Sequence, residues 1–261
     1  MDFSKIEKLF LFIFVALNLF LGYLLIGNIR SNIGVNSNLE MSIQDKLAKD
    51  QVKIDGAISD EHAQGYYLSA ERYSFKSDTL DAVTTGQVLL ENVKSKHYIN
   101  DDHIESDIEN LLEKEDVVYE SKQYKALGID IKKDNRDIIA HAGQSYKGII
   151  IYDDFAQITF NIAKENGVFL LKSFNQTMLT NFKELREKQD LISENEALDI
   201  LYDNNKLPVK STIKNTLLAY TKIVDLNKQF VFVPVWYVTL SDSTRLEVNA
   251  INGAIITNDT I

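Results

Sequence analysis

A run of nineteen residues, LFLFIFVALNLFLGYLLIG from Leu9 to Gly27, constrains this chain more than any other feature. No charge occurs from Leu9 through Ile29. At 1.5 Å per residue such a helix measures about 28 Å, close to the roughly 30 Å hydrocarbon core of a bilayer. A signal peptide has a shorter apolar core, about 7–15 residues, followed by a small-residue cleavage site. Here the run continues into GNIRSNIG, with no A-x-A pattern. The expectation is a transmembrane helix over residues 9–27. Lys5 and Lys8 precede it and Arg30 follows it, which favours a cytoplasmic N-terminus by a small margin. No second spanning run follows, so a single signal-anchor is expected, with residues 1–8 cytoplasmic and the rest extracellular. Eight residues are too few to fold or to bind a nucleotide. A message passed inward is therefore expected to travel through the helix or through another membrane protein.

The exported part is acidic. The first thirty residues hold three Lys/Arg and two Asp/Glu, which leaves 25 basic against 36 acidic side chains beyond them. Such a surface repels nucleic acid and anionic headgroups, so neither is expected as a partner. The chain has no cysteine, which removes thiol catalysis and thiolate metal sites and leaves core burial to hold an exported domain together.

Beyond the run, residues 28–40 read as a juxtamembrane linker rich in Gly, Asn and Ser. Leu39, Ile43 and Leu47 recur at helical spacing and predict a short amphipathic helix. Gly65–Phe75 reads as an aromatic-rich strand, whereas Ser77–Lys94 fits a helix or a hairpin equally. In NDDHIESDIENLLEK, Asp102 and Glu105 have capping-box spacing, and Ile104, Ile108, Leu111 and Leu112 share one face. Three strand-like pieces follow: VVYESKQYKALGI, SYKGIIIYDDF and ITFNIAKENGVFLLKSF, the last a hairpin turning at Asn166-Gly167.

The final eighty residues repeat that order. Ser193 and Glu196 have capping-box spacing before a helix that buries Ala197, Leu198, Leu201 and Tyr202 and stops ahead of Pro208. TIKNTLLAYTKIV, QFVFVPVWYVTL and TRLEVNAINGAII then read as strands, with a turn at Asn252-Gly253. The expected fold class is α+β: an N-terminal transmembrane helix, then two α+β units with antiparallel sheets, residues 41–183 and 184–261. FVFVPVWYV is apolar at both alternating sets, so this strand is expected to be covered on both faces. Phe230, Phe232 and Trp236 are its expected core residues. Pro234 predicts a bulge or an edge.

Motifs for chemistry are missing. His97 and His103 flank YINDD at a spacing wider than helical zinc sites use, without a third ligand nearby. Neither the Asp153-Asp154 pair nor Asp203 belongs to a calcium-loop series. No nucleophile elbow, Walker loop or dinucleotide fingerprint occurs. No catalytic residue, metal or cofactor is expected, and the weight falls on a protein that is not an enzyme.

Attention therefore returns to Asn18, at the middle of the apolar run. In a bilayer its amide must find a partner. Leu11, Phe14, Gly22 and Leu25 share its helical face, and Gly22 would let a second helix approach. A bond across that contact contributes roughly 0.6–2 kcal/mol. The alternative is a bond from Asn18 to the backbone of its own helix.

The opening MDFSKIEKLFLFIFVALNLFLGYLL, the asparagine within the run and the ending VFVPVWYV…RLEVNAINGAII resemble the YycI family, over essentially the whole chain. The resemblance implies a membrane-anchored accessory protein of low-GC Gram-positive bacteria without enzymatic activity. It also implies a two-part α+β ectodomain. Its implied partners are a YycH-like membrane protein and the sensor histidine kinase WalK, which controls cell-wall metabolism. The implied contact runs through the transmembrane helices. Two rivals remain: a PepSY-like extracytoplasmic module, formed by the final β-rich unit, that binds peptide or wall fragments; and an anchored wall hydrolase using two distant acids.

Overall fold

Alternating apolar residues separated by tight turns dominate the chain beyond residue 50, and they fold as antiparallel meanders. The structure, a computed structural model, describes residues 10–11, 13–18, 20–21, 41–75, 83–84, 87–91, 98–99, 104–113, 118–131, 137–226 and 229–256. It divides into two units, Met1–Asp45 and Lys46–Ile261. In the first, the described residues between Phe10 and Leu21 are helical. The rest of the expected span, the linker 28–40 and Leu39 lie outside the described residues. No helix among the described residues is long and apolar enough to cross a membrane.

In chain order the elements are α1 (Ile43–Lys49), β1 (Lys53–Ile54), β2 (Gln64–Gly65), β3 (Leu68–Arg72), β4 (Val83–Thr84), β5 (Gln87–Glu91) and β6 (Tyr98–Ile99). Helix α2 (Ile104–Leu112) and a 3-10 turn (Ser121–Gln123) lead to β7 (Tyr124–Ile131), β8 (Asp137–Tyr146), β9 (Ile149–Ile151), β10 (Gln157–Glu165), β11 (Val168–Gln176), β12 (Leu179–Glu184) and β13 (Gln189–Asp190). Helix α3 (Glu194–Asp203) precedes β14 (Thr212–Leu226), β15 (Gln229–Leu240), β16 (Arg245–Asn249) and β17 (Ile255–Ile256). The chain is a mixed α+β fold, mostly sheet, with largely antiparallel pairing.

Each of the two longer helices opens an antiparallel meander. After α2 come β7, β8, β10 and β11 as neighbours; after α3 come β14, β15, β16 and β17. The α3 start is as the sequence predicts. Ser193 Oγ accepts from the Glu196 amide at 3.2 Å, and the Glu196 carboxylate accepts from the Ser193 amide at 2.8 Å. Its end uses Asn205 in the left-handed region, with the Asn205 amide on Tyr202 O and the Lys206 amide on Leu201 O. That paired closure satisfies carbonyls the helix leaves open. The Asp102–Glu105 capping pair lies outside the described residues, whereas Ile104, Ile108, Leu111 and Leu112 are all buried. They join Phe160, Phe174, Ile158 and Ile162 in the core of the first meander.

Two turns match their sequence signals. Asn166 and Gly167 both have positive φ between β10 and β11, and the chain reverses at 250–254, where Gly253 has φ 72°. The region Ser77–Lys94 contains the antiparallel pair β4–β5. SYKGIIIYDDF is a correction: it is not one strand. Lys147 and Gly148 both have positive φ and turn the chain from β8 into β9. Strand β8 itself, DIIAHAGQSY, shows weakly in sequence because its inward positions include Ala140, Ala142 and Gln144. VVYESKQYKALGI also forms a strand only from Tyr124 onward.

Strand β9 joins the meanders. It pairs antiparallel with the end of β8 and parallel with β14, Ile150 opposite Ala219. A Cβ on Gly143 would lie 2.6 Å from Ile150 Cγ2 and 2.8 Å from Leu127 Cδ1, so glycine is what allows this close packing. Strands on both sides of the expected boundary at 183/184 share hydrogen bonds: β15 pairs with β3, and β3 with β12.

Strand β15 is covered on both faces. Phe230 and Phe232 pack with Leu68, Ile151, Leu179 and Tyr220; Val233, Val235 and Tyr237 pack with Ala219 on the other face. Trp236 departs from the expectation of a core residue: it is half-buried, and its indole N–H donates to Ile192 O at 2.8 Å. Pro234 lies at neither an edge nor a bulge, but it does mark a break in the ladder on one side of β15. It occupies an interior strand, opposite Tyr220 of β14. On its other side β15 pairs with β3 up to Phe232 and with β16 from Val235. The Pro234 carbonyl accepts from the Ala250 amide on that same side. The missing N–H therefore falls between two partner strands, where a ladder bond has no acceptor.

The chain leaves the first meander through Gln176–Leu179 and enters β12, which adjoins the second meander through β3; side chains seal this crossing. The Gln144 amide, fully buried, donates to Leu179 O and accepts from the Leu179 N–H, both at 2.8 Å. Replacing Gln144 by Leu leaves that buried N–H and C=O unpaired, at about 1–3 kcal/mol each. Denaturant titration of the Q144L protein should show a loss of roughly 2–5 kcal/mol; a loss below about 0.5 kcal/mol would mean that water or another group replaces the amide.

Candidate functional site

Three exposed aliphatic side chains of the second unit gather at the far end of the β14–β15 hairpin. The last parallel bridge to β9 is at Tyr220. From Thr221 to Leu226 no strand among the described residues pairs with the outer edge of β14. The register slips between Lys222 and Val224, so Ile223 is the extra residue of a bulge, a device that re-aims side chains at sheet edges. Ile223 is 49% exposed and Leu226 60%, with Val224 also exposed. An uncovered edge with three aliphatic side chains is a template for another chain.

The aromatic rings on the same hairpin are treated differently, because cations cover them. Phe155 stacks on Phe230 with ring centroids 5.2 Å apart. The Arg72 guanidinium lies 4.5 Å from the Phe155 centroid and the Lys222 ammonium 4.9 Å. Lys222 is held by Asp153 at 3.0 Å. On the opposite face Arg245 lies over Tyr152 at 4.6 Å and donates to its hydroxyl at 2.8 Å. The aromatic rings are thus covered by charge, while Ile223, Val224 and Leu226 are exposed.

A third cluster gathers at the β8–β9 turn. The Lys147 ammonium sits 4.5 Å from the Tyr66 centroid and bonds Glu184 at 2.5 Å; Tyr146 also donates to Glu184. The Glu184 bond holds the Lys147 ammonium well above the usual lysine range and, reciprocally, draws the Glu184 carboxyl below its own. Each group satisfies the other, so the cluster clamps β8–β9 to β12 rather than presenting a reactive group.

The residues singled out from sequence are dispersed. Leu11, Phe14 and Asn18 lie on the described part of the N-terminal helix, all exposed; Gly22 and Leu25 lie outside the described residues. The Asn18 amide donates to Phe14 O at 2.8 Å, one turn back in its own helix. Asp153 accepts from the Phe155 amide, Asp154 from Gln157 and Asp203 from Lys46. His62 Nδ1 lies 2.9 Å from Leu191 O, while His97 and His103 lie outside the described residues. No group of three or more metal-ligating side chains occurs among the described residues. Sequence reading missed the bulge at Ile223; its only trace is the aliphatic excess of KIVDL beside the hairpin turn.

Burial pushes the phenols of Tyr220 and Tyr237 up to about 12, and that of Tyr124 higher still. A group whose folded pKa is raised contributes stability that is present below its unfolded value, near 10, and lost as pH rises through the folded value. Stability should therefore fall between about pH 10 and 12. Tyrosinate absorbance should show these three phenols ionising only with unfolding; full ionisation of all tyrosines in the folded protein at pH 11 would contradict their burial.

The sequence model of the family described as "YycI protein" matches residues 30–252. No curated protein matches the chain. Among solved structures, the chain is similar to an uncharacterized protein from Eubacterium rectale ATCC 33656, whose crystal structure is known at 1.45 Å. The TM-score is 0.52 at 12% identity, covering 80% of this chain and 91% of that one. At that identity the likeness concerns the fold alone.

Proposed function

The chain belongs to the YycI family, a family of regulatory accessory proteins rather than enzymes, and we propose that it regulates a WalK-type sensor histidine kinase together with a YycH-like partner. In this reading residues 9–27 span the cell membrane, the N-terminus is cytoplasmic and the second unit is extracellular. The N-terminal helix carries the proposal. Every described residue of it is exposed, its large apolar side chains from Phe10 at 70% to Val15 at 48%, and none is charged. A helix apolar on all sides is stable in hydrocarbon or against other apolar helices, not in water.

Asn18 refines this picture. One amide N–H is taken by Phe14 O, so the side chain is tolerated in lipid without a partner. A second N–H and the carbonyl oxygen of an asparagine remain available, and those are the groups a neighbouring kinase or YycH-like helix would meet. Regulation requires that the contact differ in free energy between two kinase states. The tip at Ile223, Val224 and Leu226 offers the extracellular half of such a contact.

Three variants test the reading in cells that carry the kinase. Replacing residues 9–27 by an unrelated apolar span should change expression of kinase-dependent genes while the second unit stays folded. Asn18→Leu should weaken co-purification with the kinase about three- to thirtyfold, the equivalent of roughly 0.6–2 kcal/mol. Joint substitution Ile223→Asp and Leu226→Asp should release the YycH-like partner with stability changed by less than about 1 kcal/mol, as expected of exposed sites. Unchanged gene expression and unchanged co-purification in all three would sink the proposal.

A further inference from the structure

The sequence holds two Asn-Gly dipeptides, Asn166-Gly167 between β10 and β11 and Asn252-Gly253 between β16 and β17. This pair has a chemistry of its own. The backbone nitrogen of the glycine can attack Cγ of the asparagine before it. The ring that forms is five-membered, and glycine carries no side chain to obstruct the approach. By sequence the two sites are equivalent; the fold makes them different.

At Asn252-Gly253 both reacting groups are held. Asn252 Oδ1 accepts from the Ala254 amide at 3.0 Å, and the attacking nitrogen, that of Gly253, donates to Asn249 O at 2.8 Å. The Asn252 amide donates to Asn249 Oδ1 at 3.3 Å. Gly253 is also packed against α3, where a Cβ would lie 2.9 Å from Ile200 Cδ1. At Asn166-Gly167 none of this holds. Both residues are exposed, and a Cβ on Gly167 would meet nothing within 4 Å. Neither the Asn166 side chain nor the Gly167 N–H has a hydrogen-bond partner among the described residues. The two residues have φ of 52° and 82°, as a two-residue hairpin turn requires. The turn must open for the nitrogen to reach Cγ, and local opening at such a hairpin end breaks no hydrogen bond of either reacting group.

We propose that Asn166 is a site of spontaneous covalent modification, at which the side-chain amide becomes a carboxylate while the protein stays folded. Gly167 N bonds to Asn166 Cγ and the Cγ–Nδ2 bond breaks; the Gly167 amide proton leaves with the departing amide as ammonia. Water then opens the ring. Cleavage of the new bond gives aspartate, and cleavage of the original peptide bond gives isoaspartate, whose main chain runs through one extra carbon. Either product places a negative charge beside Glu165, whose carboxylate pairs with Lys172. The longer main chain of isoaspartate no longer fits a two-residue turn, so the end pair Glu165–Val168 loosens. The Phe160–Phe174 pair further along the same strands stays in the core. Modified copies therefore remain folded and accumulate with time. The site does not depend on the kinase reading.

The test incubates the full chain in nanodiscs at physiological temperature, at neutral and at mildly alkaline pH, and follows both sites by peptide mapping with mass spectrometry. Conversion should rise with pH, because the attacking nitrogen must lose its proton. Asn166 should convert at least about tenfold faster than Asn252, whose groups are held away from the geometry of attack. In concentrated urea those restraints are gone, and the two rates should come within about twofold of each other. Asn166→Gln, which would need a six-membered ring, should remove the more acidic form that isoelectric focusing shows in aged folded protein. Hydrogen exchange in aged wild-type protein should speed up at Glu165 and Val168 and not at Phe160 or Phe174. Asn166 left intact in the folded chain when the unfolded chain has converted would overturn the proposal. So would Asn252 converting as fast as Asn166 in the folded chain.

Discussion

Four residues, Gln176 to Leu179, carry the chain out of the first meander into β12, and the satisfaction of their buried polar groups holds that exit in place. Side chains supply most of the partners there. Gln144 closes on both backbone groups of Leu179. Gln176 does the same for Tyr119, donating to its carbonyl at 2.6 Å and accepting from its amide at 3.3 Å. Thr177 Oγ donates to Asp154 O and accepts from the Gln157 amide, while the Tyr124 hydroxyl donates to Thr177 O. Each bond alone contributes only about 0.5–1.5 kcal/mol net, but a buried backbone group left open costs more than a formed bond contributes. The crossing therefore tolerates no partial solution: the first meander is registered against these four residues by hydrogen bonds, and Leu179 packs in one core with Tyr220, Phe230 and Phe232 of the second.

This also explains which parts of the fold are legible in the sequence. Local chemistry is: the Ser193–Glu196 box, the Asn166-Gly167 turn and the apolar stripes of α2 and α3 depend on residues three or four apart. The long-range pairings are not. Strand β8 is hidden because a small inward set, Ala140, Ala142 and the buried Gln144, carries little hydrophobic signal; its environment is set by partners such as Leu179, 35 positions away. The same holds for Pro234. A proline in an apolar run argues for an edge or a bulge when only the strand is considered. Its actual place, between the end of β3 and the start of β16, can be inferred only once both neighbours are known.

The candidate surfaces divide in the same way. The apolar N-terminal run is visible from composition alone, because its meaning lies in its length and absence of charge. The tip at Ile223 is invisible, because exposure of a strand is a statement about strands that do not pair with it. KIVDL reads as ordinary strand sequence; nothing in it distinguishes a central ladder from an open edge.

Open edges are hazardous, and proteins commonly blunt them with charge, proline or a bulge. The outer edge of β14 carries part of that protection. The bulge at Ile223 breaks the register of β14, and Lys222 is drawn back over the Phe155 and Phe230 rings. The edge is not closed completely. Protection alone would favour charged side chains at positions 223 and 226, where the chain instead has Ile and Leu. Charge at the rim with aliphatic surface left at the centre is the arrangement of an interface that excludes random association but accepts a matched strand.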